Sequence, residues 1–304
     1  MKLDILIVNM NHGHYLRQCL DSISKQTFQD FRVLLQDGNS RDSSLSVAQQ
    51  FRFIEIESKK DLGSNDAFSK AIARSSSEYI TFLTSTDYLL DSDWLANAVT
   101  TLDSNTSISM IVGGIVGVTN EGGYTNYRWP TIEFECKDFS ELYFDFLFRG
   151  NGMTPISFVI RREIFLRCIG DLTDFMKEDH ECDEDLFWRF SLGFHKKPFA
   201  SWYLKNDQVA CRLHTDRRSD STYLPTQQER LNKSIKLLRR SILLKGKSIE
   251  FVRMDLNNDS KLSISYLNLL CSWLKYSLKK LFQRMQKMIG VINSRDQVVS
   301  EMYR

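Results

Sequence analysis

Proline and glycine are scarce in this chain, 4 and 14 of 304 residues, which argues against long flexible linkers and a loop-dominated fold. The six cysteines (Cys19, Cys136, Cys168, Cys182, Cys211, Cys271) are scattered, with no Cys-x-x-Cys pair among them. That pattern speaks against a zinc site or a disulfide framework and reads as reduced thiols in a cytoplasmic protein. No apolar run approaches the roughly 18 residues that a membrane-spanning helix needs. Asp4 interrupts the MKLDILIVN segment well short of a signal-peptide core. Two nucleotide signatures are missing as well. Neither a Gly-x-Gly-x-x-Gly turn nor a Gly-x-x-x-x-Gly-Lys-Ser/Thr loop is present, so a dinucleotide-type Rossmann site and a P-loop are both disfavoured.

The composition that is there is globular, 42% hydrophobic and 12% aromatic. The length suits one sizeable α/β domain with an appendage, or two small domains. The net charge of +2 conceals an asymmetry. Residues 225–304 carry 16 Lys and Arg against 6 Asp and Glu, and the remainder carries 24 against 32. A mildly acidic body with a basic tail points the tail at something anionic, such as a membrane surface or an acidic partner.

In the first ninety residues, short apolar runs alternate with segments of helical spacing. Leu3–Val8, Phe31–Leu35, Phe53–Ile56 and Tyr79–Leu83 read as strands. Tyr15–Ile23, a stretch through Leu45, Val47, Ala48 and Phe51, and Asp66–Ser75 read as helices between them. Strands at roughly 25-residue intervals with intervening helices predict βαβ units and a largely parallel sheet. The loops after parallel strands share one edge. Asn9 and Asn11, Asp37, the Lys60–Gly63 loop and Asp87 are thereby predicted to meet. Polar and acidic residues there suit a nucleotide held through base and ribose, with its diphosphate neutralised by a divalent metal.

The stretches VNMNHGHYLRQCLDSISKQTF, LLQDGNSRDSS and KDLGSNDAFSKAIARSSSEYITFLTSTDYL, in that order, resemble the N-terminal half of the family 2 glycosyltransferases. The resemblance implies a GT-A fold, a Rossmann-like, largely parallel mixed sheet flanked by helices, and extends over roughly the first 220 residues. It implies donor-binding roles for Asn9, Asn11 and Asp37 at base and ribose, and for Asp66, Thr86 and Asp87 near the diphosphate-sugar. It also implies Mn²⁺ or Mg²⁺ as cofactor. The family's acidic Asp-Ser-Asp-Asp turn appears here as Thr84-Ser85-Thr86-Asp87, so one carboxylate is left for a metal.

Beyond this, Ile111–Val118 reads as a central strand whose glycines allow close approach of a ligand or a neighbouring backbone. The aromatic segment 128–149, which includes Trp129, Phe134, Tyr143 and Phe148, reads as core or as a sugar-stacking wall. Residues 151–174 resemble the family's acceptor-side strand and the helix and turn that follow it. The Cys182-Asp183-Glu184-Asp185-Leu186 cluster resembles the family's acidic motif at a helix start. Acids in a first helical turn also simply favour the helix dipole. An alcohol needs its proton removed to attack an anomeric carbon, so Asp185, with Glu184 second, is the expected base, and Asp183 a cap. The Arg212-Leu213-His214 stretch resembles a further family motif and makes His214 a second metal or diphosphate ligand. His12, His14 and His180 are assigned nothing.

The expected organisation is a GT-A domain over 1–224, with a nucleotide-sugar half over 1–100 and an acceptor half over 101–224. A basic, amphipathic, helical C-terminal extension follows over 225–304. Its first helix carries Leu231, Ile235, Leu238 and Ile242 and ends near Gly246; a second apolar stripe runs from Leu267 to Met288. The pair packs on the body or on a second copy of the chain, or else lays residues 263–292 on anionic lipid. The expected partners are a nucleotide-diphosphate sugar, with UDP as its nucleotide, and a glycan or lipid-linked glycan acceptor, not nucleic acid. The expected location is the cytoplasm, with a peripheral hold on the inner face of the plasma membrane. Two rivals stand: a non-catalytic homologue that binds nucleotide-sugar or glycan, and a nucleotidyltransferase, which would want a glycine- and lysine-rich first loop that Val8-Asn9-Met10-Asn11 is not.

Overall fold

A computed structural model describes residues 1–129, 155–170, 186, 190, 201–213, 249–255, 258–264, 274 and 278. The run Leu3–Asn9 forms β1, and Phe31–Asp37 and Tyr79–Thr84 form β2 and β4, all three buried along nearly their whole length. Strands buried on both faces need a parallel sheet with helices above and below, and that is how they pair. β1 runs parallel to β2 and to β4, and β2 runs parallel to β3 (Ile54–Ser58). The intervening helices are α1 (Gly13–Ser24), α2 (Ser44–Ala48) and α3 (Ser64–Arg74). Strand order β3-β2-β1-β4 reverses direction after β3. With right-handed crossovers, α1 and α2 therefore cover one face and α3 the other.

After β4 the chain makes β5 (Tyr88–Leu89), α4 (Trp94–Ser104), β6 (Met110–Val118) and β7 (Tyr124–Trp129). A 3-10 turn at Pro155–Ser157 then leads into β8 (Phe158–Arg161) and α5 (Arg162–Ile169), and β9 follows over Ser201–Arg212. The full order is β3-β2-β1-β4-β8-β6-β9-β5, with β7 paired to β6. β8 runs antiparallel to both neighbours and β6 runs parallel to β9, so the second half of the sheet is mixed. The Ile111–Val118 run is interior, as expected. What its glycines admit is the side chains of neighbouring strands: a Cβ on Gly113 would lie 2.5 Å from Gln208 Cγ, and one on Gly117 2.7 Å from Tyr127 Cβ.

A line of phenylalanines joins the two halves. Phe68 of α3 meets Phe82 of β4 edge-on at 5.6 Å, and Phe82 meets Phe158 of β8 at 5.7 Å and Phe165 of α5 at 4.9 Å. Phe190 stacks on both Phe158 and Phe165. At the opposite edge from the strand C-termini, buried Asp4 accepts hydrogen bonds from Arg32 Nε (2.7 Å), the Ser77 hydroxyl (2.7 Å) and the Ser76 and Ser77 N–H groups. Burial works to raise the Asp4 pKa. The arginine and serine donors outweigh it and hold the carboxyl below its ordinary range.

Within the C-terminal extension, an antiparallel pair, β10 (Ile249–Asp255) and β11 (Asn258–Ile264), stands where the sequence reading places no element. Leu274 and Leu278, from the second apolar stripe, are helical and 45% and 63% exposed. The first expected helix lies outside the described residues. Among the described residues, no helix is long and apolar enough to cross a membrane.

Candidate functional site

The carboxyl ends of β1, β2, β3 and β4 bring the predicted donor residues to one edge of the sheet. Asn9 ends β1, and Asp37, directly beside it in register, ends β2. The Asp37 carboxylate is fully enclosed. Oδ1 accepts from Asn9 Nδ2 (2.8 Å) and from the Ser40 hydroxyl (2.5 Å). Oδ2 accepts from the Ser40 N–H (2.8 Å) and from the Ser58 hydroxyl at the end of β3 (2.7 Å). Four donors on two oxygens make Asp37 the post on which the Gly38–Ser40 loop is folded. Asn11 and Asn39 both adopt left-handed backbone, φ 56° and 64°, a conformation asparagine tolerates better than most residues. Exposed Asn11 donates its N–H to Ser40 Oγ and accepts from the Arg41 N–H, so the loops after β1 and β2 are stitched together.

Asp42 extends this stitching. It accepts from the Gly13 N–H (2.8 Å), the Ser44 N–H (3.0 Å) and the Ser44 hydroxyl, tying the starts of α1 and α2. Burial opposes its ionisation, but these donors hold its carboxyl below the usual range. The two helices are so close that a Cβ on Gly13 would stand 2.7 Å from the Ser44 nitrogen. Ser40, Ser58 and Asp42 were missed by sequence reasoning; the Asp-Gly-Asn-Ser-Arg-Asp spacing carried the signal for two of them.

Asp66 lies in the first turn of α3, buried. Its Oδ2 accepts from the Leu62 N–H (2.9 Å) and from Lys70 Nζ (2.7 Å), and its Oδ1 is buried without a partner. The next residue back, Asn65, accepts from the Leu186 N–H at 3.4 Å. Leu186 and Phe190 are buried helical positions, and Leu186 is thereby tied to the start of α3. Glu184, Asp185 and His214 lie outside the described residues.

The turn after β4 is a closed hydrogen-bonded unit. Asp87 only accepts, so the Thr84 hydroxyl donates to its Oδ2 (2.6 Å), and the Thr86 hydroxyl donates in turn to Thr84 Oγ1 (2.9 Å). Asp87 Oδ1 accepts from the Arg212 N–H (2.9 Å) at the end of β9. The Arg212 guanidinium is 3% exposed. It donates to the carbonyls of Thr86 (3.3 Å), Thr119 (3.0 Å) and Asn120 (2.6 Å) and to Gln18 Oε1 (2.5 Å). The rings of Tyr15 and Tyr88 lie 4.7 and 5.7 Å from its centre. His12 Nδ1 is 3.5 Å from Ser85 Oγ on the same turn.

This donor set does not fit a divalent ion held by the protein. Two hydroxyls stand where the family motif has acids, and the surviving carboxylate is buried and committed to Thr84 and Arg212. The Arg212 guanidinium, bonded to the Thr86 carbonyl, adds a buried positive charge next to the turn, which disfavours a second cation there. Among the described residues no three His, Cys, Asp or Glu side chains come together. Of the metal site expected at Asp87 and His214, only Asp87 lies within the described residues.

A family model described as Glycosyl transferase family 2 matches residues 4–169. A PGL/p-HBAD biosynthesis glycosyltransferase of Mycobacterium bovis is 30% identical over 131 residues, covering 41% of this chain and 49% of that protein. A poly(ribitol-phosphate) beta-glucosyltransferase of Bacillus spizizenii is 33% identical over 97 residues, 29% of this chain and 15% of that protein. The chain spans about half the length of the first of these relatives. Among solved structures, S. aureus TarS 1-349 in complex with UDP superimposes with a TM-score of 0.58 at 15% identity, covering 79% of this chain and 65% of that one. Its complex with UDP-GlcNAc gives 0.57 at 18%, covering 80% and 67%. The likeness is one of fold, and the fold is GT-A.

Proposed function

This chain belongs to glycosyl transferase family 2, and from that membership we propose that it moves a sugar, with inversion, from a nucleoside-diphosphate donor to a glycan or lipid-linked glycan. The observation that carries the reading is the Leu186–Asn65 hydrogen bond. It ties Leu186, the residue that follows the acidic cluster in the chain, to Asn65 at the start of α3, next to Asp66. The sequence adjacency of Leu186 to Asp185 is what supports a base close to a donor bound along the carboxyl edge of the sheet.

In this reading the loop folded on Asp37, with Asn9 beneath it and Asn11 exposed, receives base and ribose. The partnerless Asp66 Oδ1 favours a hydroxyl donor arriving from the sugar, since a buried unpaired carboxylate oxygen is costly. UDP is the nucleotide of choice, supported by the fold shared with a transferase solved with UDP and with UDP-GlcNAc. Asp185, or Glu184 beside it, takes the acceptor hydroxyl's proton as the new bond forms at the anomeric carbon and the nucleoside diphosphate departs. The exposed Leu274 and Leu278 in the basic extension support a hold on anionic lipid, where a lipid-linked acceptor would be met.

The test is release of nucleoside diphosphate from a panel of UDP-sugars offered with lipid-linked and free glycans. Asp185→Asn should lower turnover by about 10²–10⁴-fold with UDP affinity kept. Tight UDP binding by the wild-type chain with no turnover for any pair would favour the non-catalytic homologue instead.

A further inference from the structure

We propose that the Thr84–Asp87 turn is a latch closed by Arg212, and that the donor diphosphate binds without a divalent ion held by this chain. The inference rests on the nucleotide-sugar reading above and departs from the resemblance that suggested a metal. A metal-holding turn presents carboxylate oxygens to solvent, with lone pairs free for an ion and for bound water. Here the two hydroxyl protons run in one direction, Thr86 to Thr84 to Asp87, and finish on the only acid. The other oxygen of that acid accepts the main-chain N–H of Arg212, 125 residues away in sequence.

The rest of Arg212 explains why that contact is worth having. Its planar fork reaches the turn after β4 through Thr86, the turn after β6 through Thr119 and Asn120, and α1 through Gln18. Sandwiched between Tyr15 and Tyr88, it has no group directed at open solvent, so it is not a phosphate ligand in waiting. Arg212 and Asp87 are positioning residues. Together they fix the turn that flanks the donor edge, the task a bound ion shares in an acidic turn, and they keep a positive charge next to it.

The test uses the full chain and two independent titrations. In the first, UDP binding is measured by calorimetry in Mn²⁺ and in EDTA. Affinities that agree within about threefold support the latch, and affinity at least about tenfold weaker in EDTA overturns it. Asp87→Asn keeps one oxygen for the Arg212 N–H and an amide for Thr84. It should weaken UDP less than Asp87→Ala does, and each variant should weaken it by the same factor in both buffers. A metal ligand would instead lose its Mn²⁺-dependent affinity in both variants alike. The second titration follows Mn²⁺ alone by electron paramagnetic resonance. No uptake sensitive to Asp87→Asn is expected, and uptake that this substitution abolishes overturns the proposal. If UDP fails to bind in either buffer, the nucleotide reading fails, and the Mn²⁺ titration still decides whether the turn holds metal.

Discussion

Four hydrogen-bond donors converge on the Asp37 carboxylate, and buried Asp4, at the other edge of the sheet, is enclosed in the same way. Arginine, a serine hydroxyl and main-chain N–H groups hold the Asp4 carboxyl below its ordinary range. At Asp4 this has a pH signature. Its native pKa is depressed, so the native state binds fewer protons than the unfolded chain. Its contribution is complete above the unfolded value, roughly pH 4, and is lost as pH falls through the lower native value. The Tm gap between wild type and Asp4→Asn should therefore be widest above about pH 5 and narrow toward pH 3. A gap independent of pH would make the residue's role steric. Gly13 gives a second test. Its missing side chain lets α1 and α2 meet at the Asp42 bridge, and Gly13→Ala should cost about 1–3 kcal/mol by overpacking, read by denaturant unfolding. The Asp-Gly-Asn-Ser motif singled out Asp37 from sequence, but not the fate of its oxygens, because Ser58 arrives from a different strand.

Elements of the parallel half were legible because burial on both faces forces unbroken apolar runs, and β1, β2 and β4 show them plainly. α2 is shorter than its apolar spacing suggested: the helix stops at Ala48, and Phe51 packs beyond it against Phe53. The β10–β11 pair was not foreseen, though Ile249 and Phe251 alternate with Glu250 and Asn257 precedes the second strand. In a lysine-rich segment between two helical patterns, that alternation is a weak signal. The phenylalanine line was invisible for another reason. Its members come from α3, β4, β8, α5 and position 190, and no local spacing announces them. Phe82 sits at its centre, touching Phe68, Phe158 and Phe165. Phe82→Ala should cost about 3–5 kcal/mol through lost burial and the cavity left behind. Thermal unfolding should show one lowered transition, since the cluster spans both halves; two separate transitions would mean that the halves unfold independently.

For the whole molecule, sequence and structure agree on an α/β sheet that gathers Asn9, Asp37 and Asp87 at the carboxyl ends of its strands, and long-range contacts set the surroundings of those side chains. The Arg212 N–H meeting Asp87 is one such contact, and sequence spacing could not show where the oxygens of a lone carboxylate are committed. The basic extension yields a prediction at this scale. The chain should sediment with vesicles containing anionic phosphatidylglycerol, and Leu274→Asp with Leu278→Asp should release it. Equal sedimentation of wild type and double variant would return the helix to a packing role. The central claim is a nucleotide site at the carboxyl ends of β1, β2 and β4, and calorimetric titration of the wild-type chain with UDP, GDP, ADP and CDP tests it most directly. The account predicts that UDP binds more tightly than the other three. Absence of binding by all four, with the thermal transition intact, would contradict it.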